Sequence, residues 1–455
     1  MRTYVQASGT DHAGREPRAK RDRLTIMLPA DTFSPNVNGA AKFTENLAMG
    51  MKARGHDVHV VAPAASRRHG RFTETYGDEP ITVHRVRSYR WFKHDWLRFV
   101  VPWRARAHAR RILDEVQPDV VHFQSAVILG RAFSIEAKRR GIRVIATNHL
   151  MVENVIEHSG IPKFLQPTAA SIWWRDASAT LRRAAAVTTP TRRAADFLEA
   201  NGGVNDVLAI SCGLRTSDYT AQFGEKPERR ILFLGRVTGE KQIDVLLEAF
   251  RRLPTDLNAK LDIVGGGDLL HALQRLSAKL GIDDRVTFHG LATDAEVRRM
   301  LTDATVFAMP SIAELQSIAT MEAMASGLPV VAANAMALPH LVHHGQNGFL
   351  FEPGDAGDLA RRLEWVLRAP AAERDRLGRE GLRLVQVHDI DRTFDLFERL
   401  YLGESIADVA ADSVNEQDHS LDGAPRTGTI TLPETSRPPA DLPSAEGRRG
   451  DGAEA

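Results

Sequence analysis

The feature that most constrains this chain is a strand–loop–helix–strand unit that begins twice. LTIMLPA is an apolar run of strand length, DTFSPNVNGA is a loop, AKFTENLAMGMKARG has a helical pattern, and HDVHVVAP is the next strand. Such a unit opens a doubly wound α/β domain, because parallel strands need a helical crossover to return. DVVHFQ and RVIATNH continue the series with the helix RAFSIEAKRRG between them, and AAAVTTPT and DVLAISCG are its last strands. From residue 213 the pattern restarts: RRILFLGR, AKLDIVGGG, RVTFHG, ATVFAMPS, PVVAAN and GFLFEP read as strands, with helices such as QIDVLLEAFRRL and LLHALQRLSAKLG between them. The fold class expected is therefore α/β, with two domains, 24–212 and 213–387, facing across a cleft lined by the carboxyl ends of strands.

Both ends of the chain read differently. Residues 1–23 are polar and rich in arginine, and 403–455 hold eleven acidic residues against four arginines. Both tails are expected to be disordered. The net charge of +1 argues against a whole-protein nucleic-acid binder, so no nucleic-acid partner is expected. Cys212 is the only cysteine, which excludes an internal disulfide and fits a reducing compartment. The N-terminus has no apolar signal region, and no run approaches the roughly 18 apolar residues of a spanning helix. The expectation is a cytoplasmic protein, at most peripheral on the inner face of the cell membrane.

Four motifs fall on the predicted strand ends. In FLGRVTGEK, Gly235 ends a strand and Arg236 and Lys241 follow in a short loop. Two cations beside backbone N–H groups suit a diphosphate, although a solvated basic loop would look the same. In IVGGGDLL the third glycine of the dinucleotide fingerprint is missing, so a nicotinamide dehydrogenase is disfavoured. Glycines such as Gly266 still allow a backbone to come close to a ligand. In ELQSIATMEA, Glu314 lies in a loop, and a helix beginning near Ser317 carries Glu322. The N–H groups of Gln316, Ser317 and Ile318 would then stand at a helix N-terminus, where an anion is favoured. Eight helical residues span about 12 Å, whereas the two carboxyls of a retaining hydrolase stand only about 5 Å apart. The two glutamates therefore read as clamps on different hydroxyls of a long ligand. In SPNVNGA, Asn38 and Gly39 precede the first helix, and TNH ends a strand with His149.

Together these motifs resemble the retaining glycosyltransferase family 4, of GT-B fold, over about Leu24–Leu402. The resemblance implies two Rossmann-like domains, with a helix at 388–402 returning to the first. It implies no cofactor: a nucleotide-sugar, of UDP-glucose or GDP-mannose type, is a co-substrate held mainly by the second domain. Arg236 and Lys241 would neutralise the departing diphosphate. Glu314 would bind hydroxyls of the donor sugar, Glu322 the ribose, and Ser317 with its neighbours the phosphate or sugar. The base would pack near Gly290 and Leu291. His149 would contact the donor sugar and Gly39 the phosphate from the other side. Where many members have two glycines in the first loop, this chain has Asn38 and Gly39. No protein base is assigned, because a diphosphate oxygen assists the acceptor. Nor is a metal assigned: the one D-x-D sequence, Asp389–Asp391, precedes a helix pattern and reads as an N-cap.

The acceptor leaves a fainter trace. Arg85–Arg111 holds nine Lys and Arg residues against one acid, Asp95, together with Trp91, Trp96 and Trp103. Aromatics among cations suit an anionic membrane surface. A second segment, PKFLQPTAASIWWRDASATLRR, adds Trp173 and Trp174. TNHLMVEN and ELQSIATMEAMA also resemble the branch of the family that acts on diacylglycerol-type lipids. A lipid acceptor is the leading expectation. A soluble glycan or metabolite acceptor is the alternative, and a non-catalytic sugar-nucleotide sensor is the alternative of another class.

Overall fold

The computed structural model describes residues 23–36, 38–91, 94–149 and 162–412; the side chains of 91–97 lie outside the description, as do both expected tails apart from Arg23 and 403–412. The first half holds an eight-stranded sheet: β1 (Thr25–Pro29), β2 (Asp57–Pro63), β3 (Gly70–Tyr76), β4 (Glu79–Val86), β7 (Val120–Phe123), β8 (Arg143–Thr147), β9 (Ala186–Thr189) and β10 (Leu208–Ala209). Their order is β10-β9-β8-β7-β1-β2-β4-β3, parallel throughout except for β3, which runs antiparallel to β4. A hairpin of β5 (Ser88–Trp91) and β6 (His94–Val100) leaves this sheet after β4. The second half is an all-parallel sheet in the order β13-β12-β11-β14-β15-β16. It comprises β11 (Arg230–Leu234), β12 (Lys260–Val264), β13 (Val286–Gly290), β14 (Val306–Met309), β15 (Val330–Ala333) and β16 (Gly348–Phe351).

The helices of the first half are α1 (Gly39–Ala53), α2 (Pro102–Val116), α3 (Leu129–Arg139), α4 (Gln166–Leu181) and α5 (Arg192–Gly202). Those of the second are α6 (Ile243–Arg251), α7 (Leu270–Lys279), α8 (Asp294–Asp303), α9 (Ile318–Ala325), α10 (Leu338–Leu341), α11 (Ala356–Arg368) and α12 (Ala371–Val385). Central strands such as β7 (VVHF) and β14 (VFAM) are buried at every residue, as strands covered on both faces must be. In each sheet the strand order reverses beside the first strand, between β1 and β7 and between β11 and β14. The crevice at such a switch point is where loops converge on a ligand. The loops after β1, β11 and β14 are the ones that carry the motifs.

The chain crosses between the halves twice. Residues 211–219 lead into the second half, and α13 (Ile390–Leu402) returns to the first. Ile390, Phe394, Phe397 and Leu400 share one core with Phe43, Leu47 and Met51 of α1. Gly50 is required there, because a Cβ would stand 2.2 Å from the Phe394 ring. Arg54 holds Asp395 at 2.6 Å and Glu398 at 2.7 Å, and the Tyr401 hydroxyl meets His122 Nδ1 at 2.7 Å.

Two expectations need correction. Residues 403–412, expected to be disordered, are ordered: α14 (Ile406–Asp412) lies among them, with Val409 buried in the first-half core and Arg399 paired with Asp412. Ile406 and Val409, three residues apart, find apolar partners on that core, which the acidic composition of the tail hid. The segment Arg85–Arg111 is not one cationic surface. Arg85 is 7% exposed and bidentate to Glu74, at 2.8 and 2.6 Å, with its guanidinium 5.5 Å from the Phe33 ring. Arg106 is committed to Glu136 at 2.6 Å. A β-strand sends alternate side chains inward, so one cation of the run is turned into the core.

Candidate active site

The loop after β11 carries the two cations. Gly235 has φ +157°, a single turn of 3₁₀ helix spans Gly239–Lys241, and α6 follows. Arg236 Nη2 lies 3.2 Å from Glu240 Oε1, which also accepts from Thr238 Oγ1 at 2.7 Å. Burial opposes ionisation of Glu240, but Arg236, Thr238 and Lys241 outweigh it and hold the carboxyl below its ordinary value. Lys241 is ion-paired with Glu314 from the loop after β14. Both cations therefore carry a carboxylate partner.

The VGGG turn after β12 supports this loop. A Cβ on Gly265 would stand 1.8 Å from the Gly235 carbonyl oxygen, and one on Gly267 2.3 Å from that of Val237. Gly235 N–H donates to Val264 at 3.0 Å and Val237 N–H to Gly266 at 2.9 Å. Gly265 and Gly267 thus let backbone approach backbone. Gly266 alone faces outward, where its Cβ would meet Leu291 at 3.5 Å. Leu291 follows Gly290 at the end of β13 and is 75% exposed, an uncovered apolar side chain at the cleft.

Glu314 is 9% exposed in the loop before α9. Ser317, the N-cap of α9, has φ +79°, a left-handed conformation costing about 1–3 kcal/mol for a residue other than glycine. Its hydroxyl meets Thr320 Oγ1 at 2.9 Å, and no described side chain caps the helix. The first N–H groups of α9 are thus without a side-chain acceptor, the condition for binding an anion. Gln316 is different. Its Oε1 accepts from Cys212 N–H at 2.8 Å and its Nε2 donates to Ser211 Oγ at 2.7 Å. The substrate-binding role expected of Gln316 therefore does not extend to its side chain. Glu322 accepts from the Tyr219 hydroxyl at 2.7 Å. Burial, with Asp294 adding to it and Tyr219 opposing it, pushes the Glu322 carboxyl up to about 7.

The other wall comes from the first half. Asn38 Oδ1 accepts from Ala41 N–H at 2.9 Å and caps α1, so this side chain builds the helix start rather than reaching for a ligand. Gly39, the first residue of α1, would place a Cβ 3.8 Å from Ile318 Cδ1. The first residues of α1 and α9 are therefore neighbours across the cleft. His149 follows β8, with Nε2 3.2 Å from Gln124 Oε1 and its ring 4.8 Å from that of Phe43. Burial drives its titration down to about 3, so the imidazole is neutral near pH 7.

Further contacts join the halves. Thr191 Oγ1 donates to the Leu315 carbonyl at 2.9 Å, and Lys42 lies 3.7 Å from Asp294. Phe197 packs on Met336 with Trp174, Ala313 and Leu315 around them. Trp174 is thus part of an apolar seam between the halves, and Trp173 packs on the first-half core. Neither belongs to an outward aromatic patch, as their sequence neighbourhood had implied. Asp389 accepts from Asp391 N–H at 2.8 Å and caps α13. Among the described residues, no group of three His, Cys, Asp or Glu side chains is placed to hold a metal ion.

Tyr219, Glu240 and Thr191 were not foreseen. Tyr219 stands in a segment with no helical or strand period, 103 residues from Glu322, so no local pattern links them. Glu240 could have been found, since a carboxylate directly before Lys241 in a cationic loop needs a partner.

Two doubly wound α/β domains facing across a cleft have the architecture of the GT-B class. Residues 37–218 match the family model "Glycosyltransferase Family 4", and residues 217–383 match "Glycosyl transferases group 1". The chain belongs to the family 4-type GT-B glycosyltransferases. It is 34% identical to an uncharacterized glycosyltransferase, MJ1607, of Methanocaldococcus jannaschii, a match spanning 31% of this chain and 36% of that protein. It is 25% identical to an alpha-monoglucosyldiacylglycerol synthase of Streptococcus pneumoniae, over 72% of this chain and 75% of the relative. It is 26% identical to a GDP-mannose-dependent alpha-mannosyltransferase of Corynebacterium glutamicum, over 76% of this chain and 81% of the relative. Sucrose-phosphate synthase from Thermosynechococcus elongatus shares the fold with a TM-score of 0.69 at 19% identity, over 83% of this chain and 98% of that one. HepE of Anabaena in complex with UDP-glucose does so with a TM-score of 0.62 at 17% identity, over 86% and 98%.

Proposed function

We propose that this glycosyltransferase moves a hexose from a nucleoside-diphosphate sugar to a membrane lipid of diacylglycerol or glycolipid type, with retention of configuration and without a metal. The observation that supports the donor half is that Gly39 and Ile318, the first residues of α1 and α9, are neighbours, while Lys241 from the loop after β11 is paired with Glu314 from the loop that leads into α9. Two helix dipoles and two cations supply the positive field that a departing diphosphate needs. The diphosphate would take Lys241 from Glu314, leaving that carboxylate to accept from hydroxyls of the sugar. Neutral His149 would contact the sugar from the opposite wall. Glu322 would hold the ribose, with the base laid on Leu291 beside Gly290. Ser317 and Ile318 would meet the phosphate through their N–H groups. With no base assigned, a diphosphate oxygen takes the acceptor's proton on the face from which it leaves, and configuration is retained.

Support for a lipid acceptor lies on the rim of the first half. Trp103, at the start of α2, is 81% exposed, and Phe164, just before α4, is 80% exposed. Helices between parallel strands run against them, so both helix starts lie at the carboxyl edge of the sheet, beside the cleft. Exposed Ile172 and Leu165 extend the apolar surface, with cations such as Arg104 and Arg175 near them in sequence. Aromatics and cations on one rim suit an anionic bilayer. Among the described residues no helix is long and apolar enough to cross a membrane, so contact would be peripheral. The relative from Streptococcus pneumoniae, by its name, makes monoglucosyldiacylglycerol. The mannosyltransferase relative keeps GDP-mannose beside UDP-glucose as a donor.

The test is nucleotide release from a panel of UDP- and GDP-sugars, with and without vesicles of diacylglycerol and anionic phospholipid. Release from one donor that rises sharply with lipid supports the proposal. Release that ignores lipid moves the acceptor to a soluble glycan or metabolite. Silence across the panel with donor still bound favours a sugar-nucleotide sensor.

A further inference from the structure

The linker 211–219 touches the α9 element at two points, just before the helix and at its middle. At the first, the buried Gln316 side chain accepts from Cys212 N–H at 2.8 Å and donates to Ser211 Oγ at 2.7 Å. At the second, the Tyr219 hydroxyl donates to Glu322 Oε1 at 2.7 Å. The linker is itself fixed from behind by the returning chain. Leu214 N–H donates to the His388 carbonyl at 2.8 Å, and Ile390 N–H to that of Leu214 at 3.2 Å. Thr393 Oγ1 donates to the Ser211 carbonyl at 3.1 Å. At Gly213, φ is +74° and a Cβ would stand 2.8 Å from Ile390 Cα, so the two crossings are in backbone contact.

The ring of Tyr219 packs on the second-half core, and Glu322 is half-buried. A carboxylate has about four acceptor positions. One hydrogen bond to Oε1 sets the plane of the carboxyl and leaves Oε2 for a ligand with two adjacent hydroxyls. Gln316 acts just before the same helix. It ties down the residue before Ser317, whose left-handed backbone aims the first N–H groups of α9.

We propose that Tyr219 and Gln316 are positioning residues of the donor site: Tyr219 orients Glu322 for the vicinal ribose hydroxyls, and Gln316 orients the α9 N-terminus for the diphosphate. This rests on the reading that Glu322 receives the ribose. It divides the labour by ligand part, which a general structural role would not do.

The experiment is calorimetric titration of the full chain with UDP, GDP and their 2′-deoxy forms. The variants are Tyr219→Phe, Gln316→Met and Glu322→Ala. For the nucleotide that binds, Tyr219→Phe should weaken the ribo form about tenfold and leave the deoxy form unchanged, so that the ribo-over-deoxy ratio falls. Gln316→Met should weaken both forms alike. The pH midpoint of ribo-form binding should also rise in Tyr219→Phe, because the phenol hydroxyl favours the ionised carboxylate. The Tyr219→Phe/Glu322→Ala double variant should bind no worse than Glu322→Ala alone. A wild-type ratio and pH midpoint in Tyr219→Phe, with the ratio lost in Glu322→Ala, would overturn the proposal and leave the ribose reading standing. A wild-type ratio in Glu322→Ala would overturn the ribose reading and the proposal with it. If Tyr219→Phe melts early, Tyr219→Gln, whose amide can still donate, should restore part of the ratio; a fully lost ratio in a folded Tyr219→Gln counts against orientation by a donor.

Discussion

The ammonium of Lys241 is paired with the carboxylate of Glu314 inside the cleft, with side chains only 12% and 11% exposed. Each is the other's compensation in a site built to receive more negative charge. Lys241→Met leaves a poorly solvated carboxylate uncompensated, and losing one partner of a buried pair costs about 3–5 kcal/mol. It also removes a cation from the leaving group, so kcat should fall about 10²–10³-fold. Lys241→Met/Glu314→Gln should recover most of the stability and none of the activity. Denaturant melts and initial rates on the three proteins decide this. Additive losses in stability would mean that the pair is not formed in solution.

Glu322 makes stability depend on pH. Its folded carboxyl titrates near 7 against an ordinary value of 4.5, so between those values the folded state holds more protons than the unfolded one. Stability attributable to this group is present below about pH 4.5 and is lost as pH rises towards 7. Glu322→Gln should therefore raise the stability at pH 8 by an amount on the order of 3 kcal/mol, seen as a higher melting temperature, and leave it unchanged near pH 4. Thermal melts of both proteins across that range are the measurement. The same variant should bind donor less well, because an amide accepts fewer hydrogen bonds than a carboxylate.

Gly265 is constrained twice, by φ +135° and by the Gly235 carbonyl oxygen 1.8 Å from where a Cβ would stand. Gly265→Ala must displace the loop that carries Arg236. The expected result is a loss of about 2–4 kcal/mol, in the range of strained-backbone and overpacking changes, with a fall in donor affinity. Gly266→Ala, one residue on, meets only Leu291 at 3.5 Å and should keep the wild-type melting temperature. Equal melting temperatures for the two variants would show that the turn does not buttress the loop.

The architecture was legible because buried parallel strands read as apolar runs, and because the restart at residue 213 repeats the same unit. The motif positions were legible because they fall at strand ends. What the sequence hid was who holds each residue. Gln316 reads as a polar neighbour of a helix start, yet its partners lie 104 and 105 residues away on the linker. Asn38 and Gly39 are adjacent, but one caps the helix and the other opens the cleft. Trp174 and Trp103 look alike in aromatic, cationic surroundings, and only tertiary packing separates a seam residue from an exposed one. Composition also missed α14, since two apolar residues suffice when a ready core receives them.

That separation gives the last prediction. Arg85 and Trp103 belong to the same cationic, aromatic run, but Arg85 is bidentate to buried Glu74 and Trp103 is 81% exposed. Arg85→Met should destabilise the fold by about 3–5 kcal/mol, because the buried Glu74 carboxylate loses its cation and the Tyr76 hydroxyl, which also donates to it, carries no compensating charge. It should leave vesicle binding by the folded protein unchanged. Trp103→Glu should do the reverse, keeping the melting temperature while weakening sedimentation with anionic vesicles, since a carboxylate replaces an interfacial ring and meets like charge. Sedimentation at low and high salt, run beside thermal melts of both variants, separates the two roles. Binding that persists in Trp103→Glu and in a Phe164→Glu partner would remove the rim of the first half as the membrane face, and with it the structural support for a lipid acceptor.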